Sequence, residues 1–189
     1  MYSPSNGQSP ADRVAVKPNA ANRQQESVAL SPDRAHPKAK ALLSEAFFWS
    51  ATEKSAPFGN EEGAAAFSGF RQWRPANPND SPVLYLNQLI ANWNYPAFDL
   101  TTVTLDELSA YITQGPSGAG PLIEQDNAVI AVGFGQFVLE GRIEKDLQIL
   151  TKIALQRELL PVLLSHFPDS YQPKRRDLLS RLLKAVEAM

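Results

Sequence analysis

Residues 126–140, Asp-Asn-Ala-Val-Ile-Ala-Val-Gly-Phe-Gly-Gln-Phe-Val-Leu-Glu, constrain this chain more than any other stretch. Wound as a helix, Val129, Ile130, Val132, Phe134, Phe137, Val138 and Leu139 point in nearly every direction, which suits a central element buried on all sides. Gly133, Gly135 and the β-branched run favour a strand instead. A strand needs a partner, and no second strong strand pattern exists. The stretch therefore predicts a helix, with Gly141 placed where it would stop. A helix buried all round requires other helices to cover it.

The flanking sequence supplies them. From about residue 37 the apolar spacing is helical. A first helix near 38–50 carries Leu42, Leu43, Ala46, Phe47 and Trp49, and the turn Ala56-Pro57-Phe58-Gly59 ends that region. Asn60, followed by Glu61 and Glu62, can cap a second helix with the stripe Ala66, Phe67, Phe70 and Trp73. Ser81-Pro82 opens a third, with Val83, Leu86, Leu89, Ile90 and Trp93 inward. Thr104-Leu105-Asp106-Glu107 has capping-box spacing and starts a short fourth. Residues 115–121 are read as a loop. After Gly141 a helix over 144–166 is expected to bend at Pro161, and a last one spans 174–188 with Leu178, Leu179, Leu182, Leu183 and Val186. The expectation is an all-α bundle of about seven helices over residues 36–189.

Residues 1–35 read differently. Through residue 30 they are rich in Ser, Pro, Asn, Gln and Ala and poor in aromatic and branched apolar side chains, so alone they cannot offset the entropy of ordering. They predict a flexible N-terminal tail, either a plain extension or a partner-binding arm. The first 40 residues hold six basic and three acidic side chains, and the remainder 12 basic and 17 acidic. An acidic body is a poor non-specific nucleic-acid binder, because Lys and Arg contacts to phosphate supply that affinity. The chain contains no cysteine, which removes disulfides and thiolate chemistry and fits a reducing compartment, hence the cytoplasm. Its start lacks the basic and apolar regions of a secretory signal, and no window approaches a membrane span.

Motifs that carry chemistry are scarce. Gly133-Phe134-Gly135 would need Gly or Ala at 138 to complete a dinucleotide fingerprint, and Val138 stands there; close helix approach explains the glycines better. His36 and His166 lack a second histidine at metal-ligand spacing, and no nucleophile elbow accompanies them. The carboxylates Glu45, Glu53, Glu61, Glu62, Asp99, Asp106, Glu107, Glu140, Glu144 and Asp146 are dispersed over caps and polar faces. No catalytic residue, metal site or cofactor is expected. Aromatic side chains concentrate between Phe47 and Phe98. Among them Trp49, Phe58, Trp73, Trp93 and Tyr95 stand near helix ends and turns, where rings can be half exposed and serve as binding anchors. Lys174, Arg175 and Arg176 crowd the N-terminus of the last helix, against its dipole, and are candidate anion binders.

The order of several motifs resembles a family of short bacterial proteins labelled molybdate metabolism regulator-like. They are Phe47-Phe48-Trp49, Ala56-Pro57-Phe58-Gly59-Asn60-Glu61-Glu62-Gly63, Phe70-Arg71-Gln72-Trp73, Trp93-Asn94-Tyr95-Pro96-Ala97-Phe98-Asp99 and Phe134-Gly135-Gln136-Phe137-Val138-Leu139-Glu140-Gly141. The resemblance covers about residues 42–165, leaves the N-terminal tail outside, and brings no established activity with it. The leading expectation is a non-enzymatic protein-interaction module, an adaptor or an immunity-type neutralising partner. The alternatives are a nucleic-acid-associated regulator using the basic tail and last helix, and an enzyme with a carboxylate-lined pocket.

Overall fold

The structure, a computed structural model, describes residues 31–114 and 117–189. It is all-α, with no strand among the described residues. Among the described residues eight α-helices follow one another: α1 (Pro37–Leu42), α2 (Glu61–Trp73), α3 (Pro82–Ala91), α4 (Leu105–Gln114), α5 (Gly120–Glu140), α6 (Lys145–Glu158), α7 (Pro161–Leu164) and α8 (Gln172–Glu187). Helix α5 is the axis. Every residue from Ala128 to Val138 on it is buried, α2 and α6 pack along it, and α8 packs on α6. The expectation of a central helix holds, and it ends at Gly141, whose φ of 66° is a left-handed cap.

The small residues of α5 explain how closely the layers approach. A β-carbon on Gly133 would lie 2.2 Å from the Thr151 hydroxyl of α6, and one on Gly135 would lie 2.3 Å from the Phe67 ring of α2. Phe58, Phe67, Phe70, Phe134 and Leu155 fill the main core between these helices. A smaller cluster of Leu108, Tyr111, Ala119, Leu122 and Leu163 joins α4 and α7 to the start of α5. The local signals work as expected at two helix starts: Asn60 Oδ1 accepts from Gly63 N at 2.7 Å, and Ser81 Oγ accepts from Val83 N at 3.3 Å.

Several boundaries differ from the sequence reading. The first helix stops at Leu42, and a separate 3-10 turn, Ala46–Trp49, carries the aromatics; Leu43 leaves helical geometry and its carbonyl accepts from Trp49 Nε1 at 2.7 Å. Helix α5 starts at Gly120, inside the expected loop, with Pro121 in its first turn, where the missing N–H costs nothing. Pro161 does not bend a long helix. It holds Leu160 in extended geometry, which ends α6 two residues earlier and begins the four-residue α7, raising the count from seven to eight. The flexible tail expected over 1–35 lies, for residues 1–30, outside the described residues. From Ser31 the chain is already structured, with a 3-10 turn at Pro32–Arg34 and His36 N donating to Val138 O at 2.8 Å.

Candidate functional site

The five aromatics proposed as anchors separate into two groups. Phe58 is 1% exposed and belongs to the main core, so it is not a partner contact; the turn before Asn60 drives it inward against Phe67 at 4.7 Å between centroids. Trp49 and Trp73 are half-buried and turned onto that core, Trp73 between Phe70 and Tyr85 at 6.1 and 5.6 Å. Trp93 also backs onto the core, but it meets the edge of Tyr95 at 5.8 Å, and Tyr95 lines a groove.

That groove, of about 560 Å³, runs between α3, α6 and the loop that follows Trp93. Val83, Ile90 and Leu150 form its helical side, while Tyr95, Pro96, Ala97, Phe98 and Leu100 form its outer wall. Polar groups are few: Asn87, Asp99, Thr101 and Gln125. Leu84 on α3 and Ile149 on α6, which frame it, and Val103 and Leu105 just beyond the loop are large apolar residues left between 45% and 56% exposed. The loop turns outward at Asn94, whose φ of 55° makes it the one non-glycine residue in left-handed geometry among the described residues. Asparagine tolerates that conformation better than most side chains. The Tyr95 hydroxyl donates to Glu124, and burial with this carboxylate beside it pushes the phenol well above its usual range.

Beneath the outer wall lies a set of buried charges. Arg157 and Asp126 are both fully buried, with Arg157 Nε 3.1 Å from Asp126 Oδ2 and Nη2 2.5 Å from Oδ1. The remaining Arg157 nitrogen, Nη1, donates to two wall carbonyls, Leu100 O at 2.6 Å and Thr102 O at 2.8 Å. The next residue, Glu158, is equally buried and accepts from Arg175 Nη2. Arg175 Nη1 donates to Ser55 Oγ at 2.9 Å, and Phe167 covers the guanidinium at 3.8 Å. Burial pushes the Glu158 carboxyl up to about 7, and Asp126 beside it adds to the rise. Burial likewise raises Asp126, against the pull of Arg157. The two carboxyl groups belong to one buried cluster and repel when both are ionised, so a proton on one of them relieves that repulsion.

The charges grouped at the start of the last helix are accordingly mostly committed inside the molecule. Arg175 is 1% exposed and binds the internal Glu158 carboxylate, so it is not a surface anion binder. Lys174 is exposed and 2.5 Å from Glu53, which also accepts from Tyr171. Burial opposes charge on Glu53, but these hydrogen bonds hold its carboxyl below the usual range. Arg176 is exposed. A further cavity of about 370 Å³ opens on Arg175, Lys54, Asn60 and Asn127, and Glu61 and Glu62 from the dispersed acids line it too. His166 is exposed, and His36 caps α1, its Nδ1 accepting from Lys38 N at 3.2 Å. Among the described residues no group of three or more His, Cys, Asp or Glu side chains could hold a metal ion, and no helix is long and apolar enough to cross a membrane.

Sequence reasoning missed Asp126, Arg157 and Glu158, although the spacing marks them. Leu147, Thr151, Ala154 and Glu158 recur at four, three and four residues, so Glu158 lies on the apolar stripe of α6. Arg175, Leu179, Leu182 and Val186 repeat that rule on α8. Asp126 sits one helical turn before Val129 and Ile130 on a helix with no polar face. A charge on a buried stripe requires an opposite charge opposite it. Compared with protein-family models, curated proteins and solved structures, the chain matches none of them.

Proposed function

We propose that this protein is a non-enzymatic interaction module, an adaptor or an immunity-type neutralising partner, that takes an apolar segment of another protein in the groove between α3, α6 and the 95–101 loop. One observation carries the reading: an apolar groove of about 560 Å³ has its outer wall made of Tyr95, Pro96, Ala97 and Phe98 and its helical side of Val83, Ile90 and Leu150. Concave apolar sites with a few placed polar groups are the usual form of a binding site. Exposed Leu84, Val103, Leu105 and Ile149 on and just beyond the framing elements extend the apolar character available to a partner. The groove lies within the region that resembles the molybdate metabolism regulator-like family, and its wall is the Trp93-Asn94-Tyr95-Pro96-Ala97-Phe98-Asp99 motif of that resemblance. The internal pairing of Lys174 and Arg175 favours a protein partner over a nucleic acid, which needs free cations.

The test is affinity capture from the native bacterial host with the wild-type chain and with Ala97→Asp and Asn87→Lys, two exposed positions in the groove. The wild-type chain should retain one stoichiometric protein. Each variant should fold normally yet bind it at least about tenfold more weakly, since a charge left unpaired against an apolar surface costs more than about 1.4 kcal/mol. A stoichiometric partner that both variants retain at full affinity would place binding elsewhere.

A further inference from the structure

We propose that the buried Asp126–Glu158 carboxyl pair is a proton-operated latch on the groove: while the pair holds a proton, Arg157 grips the outer wall, and when the proton leaves to solvent the wall is released. The inference rests on the groove being the docking surface and adds how that surface is regulated.

The first part of the wall is held without Arg157: Tyr95 donates to Glu124, the Tyr111 hydroxyl donates to Pro96 O at 3.0 Å, and Phe98 packs on Tyr111 at 4.7 Å between centroids. The latch therefore acts on the part that follows. From Leu100 to Thr102 it is tied down by Arg157 Nη1, through the two carbonyls at 2.6 and 2.8 Å. The Phe98 ring lies over the same guanidinium at 5.3 Å. Arg157 can reach outward because Asp126 fixes its other two nitrogens from behind. Glu158, the residue after Arg157, is repelled by Asp126, and its second oxygen, Oε1, has no hydrogen-bond partner; Arg175 Nε is also unpartnered. An orphaned carboxylate oxygen in a dry interior is costly unless it carries or shares a proton. The charged groups facing the pair are Arg157 from its own helix α6 and Arg175 from α8. Behind Arg175 stand Ser55, Tyr171 and Glu53, with Lys174 neutralising Glu53. From the loop side Asp99 feels Arg157 and is held below the usual carboxylate range, chiefly by its own hydrogen bonds to Thr101.

With a proton on one of them, Asp126 and Glu158 no longer repel, and the two ion pairs form one unit. Once both are ionised they repel at close range in a low-dielectric site. Moving apart draws Arg157 with Asp126 and takes Nη1 away from the wall carbonyls. The Glu158 carboxyl, raised to about 7, places this transition near neutrality.

The test needs no partner. Hydrogen exchange of the amides from 99 to 104 is measured in the full chain at about pH 6 and about pH 8, normalised to α2 in the same molecule to remove intrinsic pH effects. The wall should be on the order of tenfold less protected at the higher pH, because each pH unit past the titration point changes the protonated fraction tenfold. In Glu158→Gln, where a neutral amide replaces the protonated acid, the wall should stay protected at both. Carboxyl carbon NMR on the wild-type chain should show Asp126 or Glu158 titrating near 7. An unchanged normalised ratio in the wild-type chain, or two carboxyls that titrate below about pH 5, would overturn the latch. Neither outcome touches the groove reading, which stands or falls on Ala97→Asp and Asn87→Lys.

Discussion

Two arginine–carboxylate clusters anchor opposite ends of α5, and they use the same chemistry in different surroundings. At the N-terminal half, Arg157 and Arg175 meet Asp126 and Glu158, all four at 0–2% side-chain exposure. At the C-terminal end, Arg74 donates to Glu140 at 2.6 Å and to Glu144 at 2.8 Å, Gln136 bridges both acids, and Arg142 adds a second cation 3.1 Å from Glu140. There the acids keep 19% and 25% exposure. In the deep cluster burial raises the acids; at the rim the hydrogen bonds that Arg74 donates to Glu140 raise the arginine, and burial only opposes it.

The largest contrast should come from removing one arginine in each cluster. Arg157→Ala strands Asp126 in a dry site and should cost about 3–5 kcal/mol. Arg74→Ala leaves acids that can rehydrate, so its loss should be nearer about 1–3 kcal/mol. Urea unfolding of both variants measures the difference, and equal losses would break the comparison. Replacing Asp126 and Arg157 together by apolar residues should recover much of the first loss, because no buried charge is left alone.

The second contrast is in pH dependence. Burial pushes the Glu158 carboxyl up to about 7 in the folded chain, against 4.5 ordinarily. Between those values the native chain holds a proton that the unfolded chain has lost. This contribution to stability is therefore complete below about pH 4.5 and is lost as pH rises through about 7. The wild-type unfolding midpoint should fall across that window more steeply than that of Glu158→Gln, and superimposable pH curves would show that the acid is ionised throughout. The smallest effect belongs to the rim. Arg142, 61% exposed, should change stability by less than about 1 kcal/mol when made Ala, and by less still in 1 M salt.

The fold was legible in the sequence wherever periodicity and caps agreed. Asn60, Ser81 and Gly141 mark boundaries that the structure keeps, because each meets a backbone need that few other residues meet. Pro161 and Pro121 were misjudged for one reason: proline inside a helical pattern was read as a bend or a loop, when it also begins helices. The groove was half legible. Tyr95 and the Pro-Ala-Phe run stood out, yet nothing local shows that residues 95–101 come to rest against Leu150, 50 residues further on. The buried charges stand on stripe positions of α6 and α8, where the rule that charged residues face solvent does not find them.

The contact of His36 with the end of α5 has a practical consequence. Its ring occupies the space where any side chain at Gly141 would sit, and its amide is fastened to Val138. The groove meets the same helix at Gln125, 13 residues or about 20 Å away along the axis. His36 is thus fixed at the opposite end of α5 from Gln125, and a fluorescent reporter attached beside it, at exposed Lys38, would leave the mouth of the groove clear.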